Sequence, residues 1–299
     1  TAIIRAYVDV DLTAEDAQGS PVTLGNYYGK SCYLEEAFSE TEWLYKEIDK
    51  LYLQLMDYKN AQYPEAGYHD IILSPDLSGM LAHEAMGHTV EADGVLGGSI
   101  SGLYMGQPVA SEIVTLMDYA NKVLDGDARC RMLVDDEGTL CSDVTIIKNG
   151  ILNSYLHSRQ TARNMGGKAC GNIRASQYYD EPMVRMRNTA IVPGNSTVEE
   201  MISSIDDGYY LVGNENGSGG LNGEYIIVSS LGYRIKNGKL AYPVRGTTIS
   251  GQAFDMLKTV SMISKEQAWR FGGMCGKKQG IETATGGPAI KCKANMAGK

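Results

Sequence analysis

No stretch of this 299-residue chain approaches the ~20 consecutive apolar residues needed to cross a bilayer, and no secretory leader is visible. The six cysteines (Cys32, Cys130, Cys141, Cys170, Cys275 and Cys292) never stand in the CxxC spacing of a structural zinc site. A chain of this length holds a core without disulfides, so reduced, buried cysteine is the ordinary reading for most of them. Basic charge is short: 27 Lys and Arg against 36 Asp and Glu leave a net charge of −9, which argues against broad binding along a nucleic-acid backbone. Two glycine-rich stretches, Gly94 to Gly102 and Gly213 to Gly220, lack both the GxxxxGK[ST] order of a P-loop and the strand-bound GxGxxG of a dinucleotide site. They read as surface loops, or as a lid or wall over a peptide groove. Phenylalanine is nearly missing, 3 residues against 19 tyrosines. That bias suits amphipathic surfaces that touch extended polypeptide or a partner subunit, although tyrosine also fills half-buried positions.

Histidine is scarce and unevenly placed. Of His69, His83, His88 and His157, two fall within His83-Glu84-Ala85-Met86-Gly87-His88. Neutral imidazole is a good zinc ligand, and a carboxylate beside the metal can take a proton from water, so the cluster points to metal-assisted hydrolysis. The spacing is not that of HExxH. At i and i+5 the two rings stand ~140° apart around an ideal α-helix, and share one ion only if the backbone changes course between them. Glycine at 87 permits φ > 0 there, and a π-bulge is the other route. The helix is therefore expected to end or distort between Glu84 and His88, with Gly87 outside regular α geometry. The plain alternative is two polar residues on a helix that stops at Gly87. Candidates for a third ligand are His69, His157, Glu91, Asp93 and the six cysteines. Cys275 stands apart because Phe271-Gly272-Gly273-Met274-Cys275-Gly276-Lys277-Lys278 surrounds it with glycines and two lysines, which favour close backbone approach and a thiolate.

Local signals place these residues. Asp70 to Leu73 reads as a buried strand, and Ser74-Pro75-Asp76 opens a helix with an N-cap, a proline at its first position and an early acid. Upstream, Ala6, Val8, Val10 and Leu12 alternate as in a half-buried strand. A helix opens at Ser39-Glu40-Thr41-Glu42, with Leu44, Ile48, Leu51 and Leu55 on one face. Residues 60–67 form the expected linker. Downstream come strands at Val144 to Lys148, Tyr225 to Ser229 and Tyr233 to Ile235, with turns at Asn149-Gly150 and Asn237-Gly238. Helices are expected from Thr197 to Gly208 and from Gln252 to Ser264. Clustered strands with separate helices predict an α+β fold. Its β-rich, mixed or antiparallel catalytic domain would span 67–299, preceded at 1–66 by part of a smaller α/β region.

Together with Val134-Asp135-Asp136-Glu137-Gly138-Thr139, Pro182-Met183-Val184-Arg185-Met186-Arg187-Asn188-Thr189 and the late Met274-Cys275-Gly276-Lys277, the HEAMGH segment resembles the TldD/PmbA family of metalloproteases, which also carries the label of DNA gyrase modulators. The match runs in consistent order from about residue 70 to the C-terminus. The resemblance implies a zinc-dependent peptidase, with zinc on His83, His88 and Cys275 and with Glu84 as general base. It also implies a TldD-type member, since the PmbA or TldE type lacks the motif, and a chain truncated at its N-terminus, because family chains begin well upstream of Thr1. A cytoplasmic homodimer, or a heterodimer with a PmbA/TldE-like paralogue, acting on peptide or unfolded protein is the implied setting, with no nucleic-acid or membrane partner. Thr89 and Ala92 stand where the family often has glycine, and Asn295 to Lys299 departs from the usual glycine pair; neither change touches the ligands. Arg159, Arg174 and Arg185 lie in matching stretches and are candidates to hold a substrate carboxylate or carbonyl, with salt bridges as the ordinary alternative. The non-enzymatic alternative is a zinc-stabilised assembly or scaffold subunit.

Overall fold

The computed structural model describes residues 4, 6–30, 32–123, 126–270 and 273–298, so Phe271, Gly272 and Lys299 lie outside the described residues. The chain opens with an antiparallel pair, β1 (Ala6–Glu15) and β2 (Pro21–Lys30), followed by α1 (Leu34–Ala37) and α2 (Glu42–Lys59). The capping-box spacing of Ser39 and Glu42 predicts a start at Glu40, but helix α2 starts at Glu42: the Ser39 hydroxyl donates to the Glu36 carbonyl instead of capping, and the Thr41 side chain at the N-cap makes no capping bond. Its Leu51 and Leu55 cluster with Val22 and Leu24 of β2, so the apolar stripe of the helix covers one face of the hairpin. The linker is anchored: Gln62 bridges to Val244, and its carbonyl accepts from the Arg245 amide at 2.7 Å.

Beyond it come β3 (Gly67–Leu73), α3 (Pro75–Leu81), a π turn at Ala82–Gly87, a 3-10 turn at His88–Val90 and α4 (Ala92–Leu96). Short strands follow: β4 (Leu116–Tyr119), β5 (Lys122–Val123), β6 (Gly126–Asp127), β7 (Val144–Lys148) and β8 (Ile151–Leu152). Then α5 (Arg159–Met165), β9 (Ile173–Arg174), β10 (Met183–Val184), β11 (Asn188–Ile191) and α6 (Val198–Ser203) lead into the long hairpin of β12 (Asp207–Gly219) and β13 (Glu224–Lys236). The chain closes with β14 (Lys239–Arg245), β15 (Thr248–Gln252), α7 (Ala253–Lys258), β16 (Met262–Trp269), β17 (Gly273–Cys275) and β18 (Ile281–Met296).

Among the described residues twelve strands share one mixed sheet, ordered β14-β13-β12-β3-β18-β11-β4-β7-β8, with β15, β16 and β17 attached. Strand β15 pairs with both β13 and β18, so β13, β12, β3, β18 and β15 close into a small barrel. Most pairings are antiparallel; β3–β12 and β11–β18 are parallel. Ile71, Ile72 and Leu73 of β3 are all fully buried, because Ile71 and Leu73 join the main core while Ile72 faces the cluster under α6. The fold is α+β, as the sequence indicates.

Several elements depart from the local reading. Helix α6 stops at Ser203, and Gly208 belongs to β12, where parallel pairing with Asp70 leaves no room for a side chain: a Cβ would sit 2.2 Å from the Asp70 carbonyl oxygen. Helix α7 ends at Lys258, because β18 recruits the following residues as β16 through pairs such as Ile263↔Ile290. Tyr225 to Ser229 and Tyr233 to Ile235 are parts of one strand. Gly213 to Gly219 is likewise strand rather than loop, paired with β13 through a bulge at Asn214/Asn216. Both Asn-Gly turns stand as read, with Asn149, Gly150, Asn237 and Gly238 all at positive φ. Among the described residues no helix is long and apolar enough to cross a membrane.

Candidate metal centre

Strand β3 delivers the chain to Pro75 at the first position of α3; the Ser74 hydroxyl donates to the Asp76 carboxylate instead of accepting from a helix amide. Helix α3 lies on β18 at a glycine contact, since a Cβ on Gly79 would stand 2.1 Å from the Gly286 amide nitrogen. From Ala82 the helix widens into the π turn, and the His88 amide donates to the His83 carbonyl. That is the i→i+5 bond of a π turn, and it brings onto one side two rings that an α-helix would separate. The imidazoles stand edge to face, with centroids 5.0 Å apart at 86°. Gly87 is needed for a different reason from the one expected. Its φ of −55° and ψ of −48° are ordinary right-handed values. What excludes a side chain is Met186, whose Sδ would lie 1.8 Å from a Cβ at this position.

Cys275 arrives from the far end of the sequence. The donor atoms of His83, His88 and Cys275 all lie within 4.8 Å of one another, and Cys275 Sγ is 3.5 Å from His88 Nε2. Zinc bonds of ~2.3 Å to sulfur and ~2.0 Å to nitrogen place tetrahedral S and N ligands ~3.5 Å apart, which the Cys275–His88 separation matches, and S and N donors are the types that ion takes. His83 Nδ1 is buried without a hydrogen-bond partner among the protein atoms. Glu84 Oε2 stands 3.7 Å from His88 Nε2, beside the group and outside it. Burial pushes the Cys275 thiol up, but hydrogen bonds and charge from His83 and His88 outweigh it and hold the pKa at about 4, against an ordinary 9.0. Burial likewise disfavours a charged His88, yet Cys275 and the Glu91 carboxylate raise it from 6.5 to about 10.

The surroundings fix these positions. Strand β17 pairs with β18 at Cys275↔Ile281. Arg185, fully buried, donates from Nη2 to the Cys275 carbonyl at 2.7 Å and from Nη1 to the Lys277 and Gln279 carbonyls at 3.0 and 3.2 Å. It therefore stands behind the cysteine segment with its Nη groups engaged by that loop. Arg174 donates to the Met186 and Glu282 carbonyls at 2.8 and 2.6 Å, and the exposed Arg159 donates from Nε to Thr139 at 3.0 Å. On the other side β12 lies against the motif. A Cβ on Gly219 would meet the Glu84 carbonyl oxygen at 1.9 Å, and one on Gly217 would meet Glu84 Cγ at 2.8 Å. This strand backs the glutamate only because it is bare there, a role that the i, i+2 glycine spacing hints at and that the loop reading missed.

The remaining candidate ligands do not join the group. His69 packs on Tyr209 and contacts the Glu65 carbonyl, while His157 is buried against Thr161. Glu91 and Asp93 are engaged by His88 and Lys277. Cys32, Cys130, Cys141, Cys170 and Cys292 are free thiols that do not join the His83, His88 and Cys275 group.

Residues 66–298 match the family model of the PmbA/TldA metallopeptidase C-terminal domain. The chain is 35% identical over 239 residues to a zinc metalloprotease TldD homolog of Saccharolobus solfataricus, covering 79% of this chain and 52% of that protein. It is 36% identical over 242 residues to a metalloprotease of Methanothermobacter thermautotrophicus, covering 80% and 52%. Among solved structures, TldE from Thermococcus kodakarensis superposes with a TM-score of 0.75 at 16% identity, over 98% of this chain and 62% of that one. The chain thus belongs to the PmbA/TldD metallopeptidase family, and it spans about half the length of the curated relatives it matches.

Proposed function

We propose that this chain carries the catalytic domain of a zinc-dependent protease acting on extended or unfolded polypeptide, with His83, His88 and Cys275 as metal ligands and Glu84 as general base. The convergence of those three donor sets beside the Glu84 carboxylate carries the reading; the metalloprotease names of the relatives support it. The catalytic domain is assigned to 67–299, and 1–66 to the end of a preceding domain plus its connecting helix. Zinc held by these residues supplies Lewis acidity toward water and a peptide carbonyl. Glu84 accepts the proton of the attacking water and delivers it to the departing amine. Its position suits that role, because the side chain is 13% exposed and carries no ligand duty, while β12 fixes its backbone. Arg185 holds the Cys275 loop in place, and Arg159 and Arg174 are assigned to substrate contact. A motif-lacking paralogue is the proposed partner, in keeping with the fold shared with a TldE protein.

Glu84→Gln tests the mechanism. It keeps the shape and the ligands, so bound zinc remains at wild-type stoichiometry while peptide hydrolysis falls by at least about 100-fold. Unchanged hydrolysis would refute Glu84 as the base, and a wild-type chain that holds zinc but cleaves no peptide would support the scaffold alternative. Substrate class is tested by comparing a folded protein with its denatured form; equal cleavage rates count against recognition of extended chains through main-chain pairing.

A further inference from the structure

We infer that Glu91 and Lys277 are positioning residues of the metal centre: the Glu91 carboxylate orients the His88 ring, and Lys277 holds Glu91 while tying it to the segment that carries Cys275. The inference rests on the zinc reading above. His88 presents its two nitrogens to different partners, Nδ1 to Glu91 Oε2 at 3.2 Å and Nε2 to Cys275 Sγ at 3.5 Å. A carboxylate on Nδ1 accepts its N–H. That contact assigns the proton to Nδ1 and leaves the Nε2 lone pair aimed at the group formed with His83 and Cys275.

Glu91 is 1% exposed, and a carboxylate so placed needs a counter-charge. Lys277 Nζ supplies it at 3.1 Å, and the same ammonium reaches both Asp93 oxygens at 2.9 Å and the Val184 carbonyl at 3.1 Å. These contacts draw together the turn after His88, the first residues of α4 and the strand β10. Lys277 lies two residues beyond Cys275, on the same stretch whose carbonyls Arg185 holds. One ammonium–carboxylate contact therefore links the His88 ring to the Cys275 loop, although the two ligands are 187 residues apart in sequence. Neither Glu91 nor Lys277 belongs to the group of ligating atoms. Their effect reaches the metal through His88 and through the path of the β17 segment.

The test measures zinc affinity of the full chain by competition with a chromophoric chelator. It adds the absorption spectrum of the cobalt(II) form and ¹⁵N NMR of His88 in the zinc-loaded protein. Glu91→Ala and Lys277→Met are each expected to weaken zinc by about 10–100-fold. The double variant loses less than the two single losses combined, because part of what Lys277 does is to hold Glu91. Glu91→Gln, which keeps an acceptor for Nδ1–H, and Lys277→Arg, which keeps the cation, each recover part of the loss. The thiolate-to-cobalt band persists throughout, while the single Nδ1–H tautomer of His88 in wild type gives way to a mixture in Glu91→Ala. Zinc affinity within twofold of wild type in Glu91→Ala and Lys277→Met, whatever their unfolding midpoints, would overturn the inference, as would strictly additive losses in the double variant. Should Glu91→Ala not fold, Lys277→Met against Lys277→Arg makes the same contrast. A wild-type chain that takes up no zinc in this assay refutes the zinc reading itself, an outcome distinct from normal zinc uptake with insensitive variants.

Discussion

Replacing Gly87 by alanine separates two explanations for glycine in the HEAMGH segment. Backbone strain contributes nothing, because φ −55° and ψ −48° suit alanine as well as glycine. Inside a helical turn the exchange even gains roughly 0.5–1 kcal/mol. Against this, the new methyl would lie 1.8 Å from Met186 Sδ and 2.8 Å from its Cε. Methionine adapts readily, but Met186 is fully buried among core residues that leave it little room to retreat. Overpacking costs about 1–3 kcal/mol, and so short an approach belongs at the upper end. About 3 kcal/mol less about 1 kcal/mol leaves a net destabilisation of about 2 kcal/mol. Urea unfolding of the metal-free chain reads that loss directly. Because the methyl pushes on the turn that carries His83, Glu84 and His88, zinc affinity falls with it. Adding Met186→Val makes room, so the double variant should be more stable than the two single losses sum to, with a coupling of roughly 0.5–3 kcal/mol. An alanine variant as stable as wild type, with unchanged zinc affinity, would refute the packing argument.

The His88–Cys275 pair gives the metal-free chain a pH signature. His88, raised to about 10, contributes stability that is complete below 6.5 and lost as pH rises toward 10. Cys275, lowered to about 4, contributes stability that is complete above 9.0 and lost as pH falls toward 4. The two trends cancel between about 6.5 and 9, so denaturation midpoints taken in chelator should plateau there and fall on both sides, and Cys275→Ala should remove the pair's share of that profile. Gly219→Ala forces a methyl against the Glu84 carbonyl oxygen, 1.9 Å away, and should lower hydrolysis more than zinc affinity, as parallel turnover and metal titrations will show. Arg185→Met strips donors from the Cys275, Lys277 and Gln279 carbonyls; the Lys277 carbonyl keeps the Gln279 amide and only the Cys275 bond is fully buried, so at roughly 1–3 kcal/mol per buried unsatisfied group the variant should destabilise by about 1–3 kcal/mol and weaken zinc, measured by unfolding and metal analysis.

Local chemistry was legible from the sequence wherever it governs the backbone within a few residues. The i,i+5 spacing of His83 and His88 demanded a departure from α geometry, and a π turn meets it. Asn149-Gly150 and Asn237-Gly238 marked hairpins because those residues accept positive φ. Asp70 to Leu73 followed by Ser74-Pro75 marked the strand-to-helix unit that carries the motif. Cys275 was singled out by its glycine and lysine neighbours, but its meeting with His88 depends on β17 lying along β18 and on Arg185 gripping its loop. Contacts between distant segments also decided what several residues are for. Gly87 is set by Met186, Gly219 by the Glu84 backbone and Gly208 by Asp70, three close approaches that no local pattern contains. The ends of α6 and α7 fell where β3 and β18 captured the following residues as strands, because ladder hydrogen bonds and burial outweighed the helical preference of a few side chains. The sequence by itself determined which residues could hold a metal and why the helix under them had to distort. Tertiary packing alone decided that three of those side chains share one point in space, since that depends on pairings across most of the chain's length.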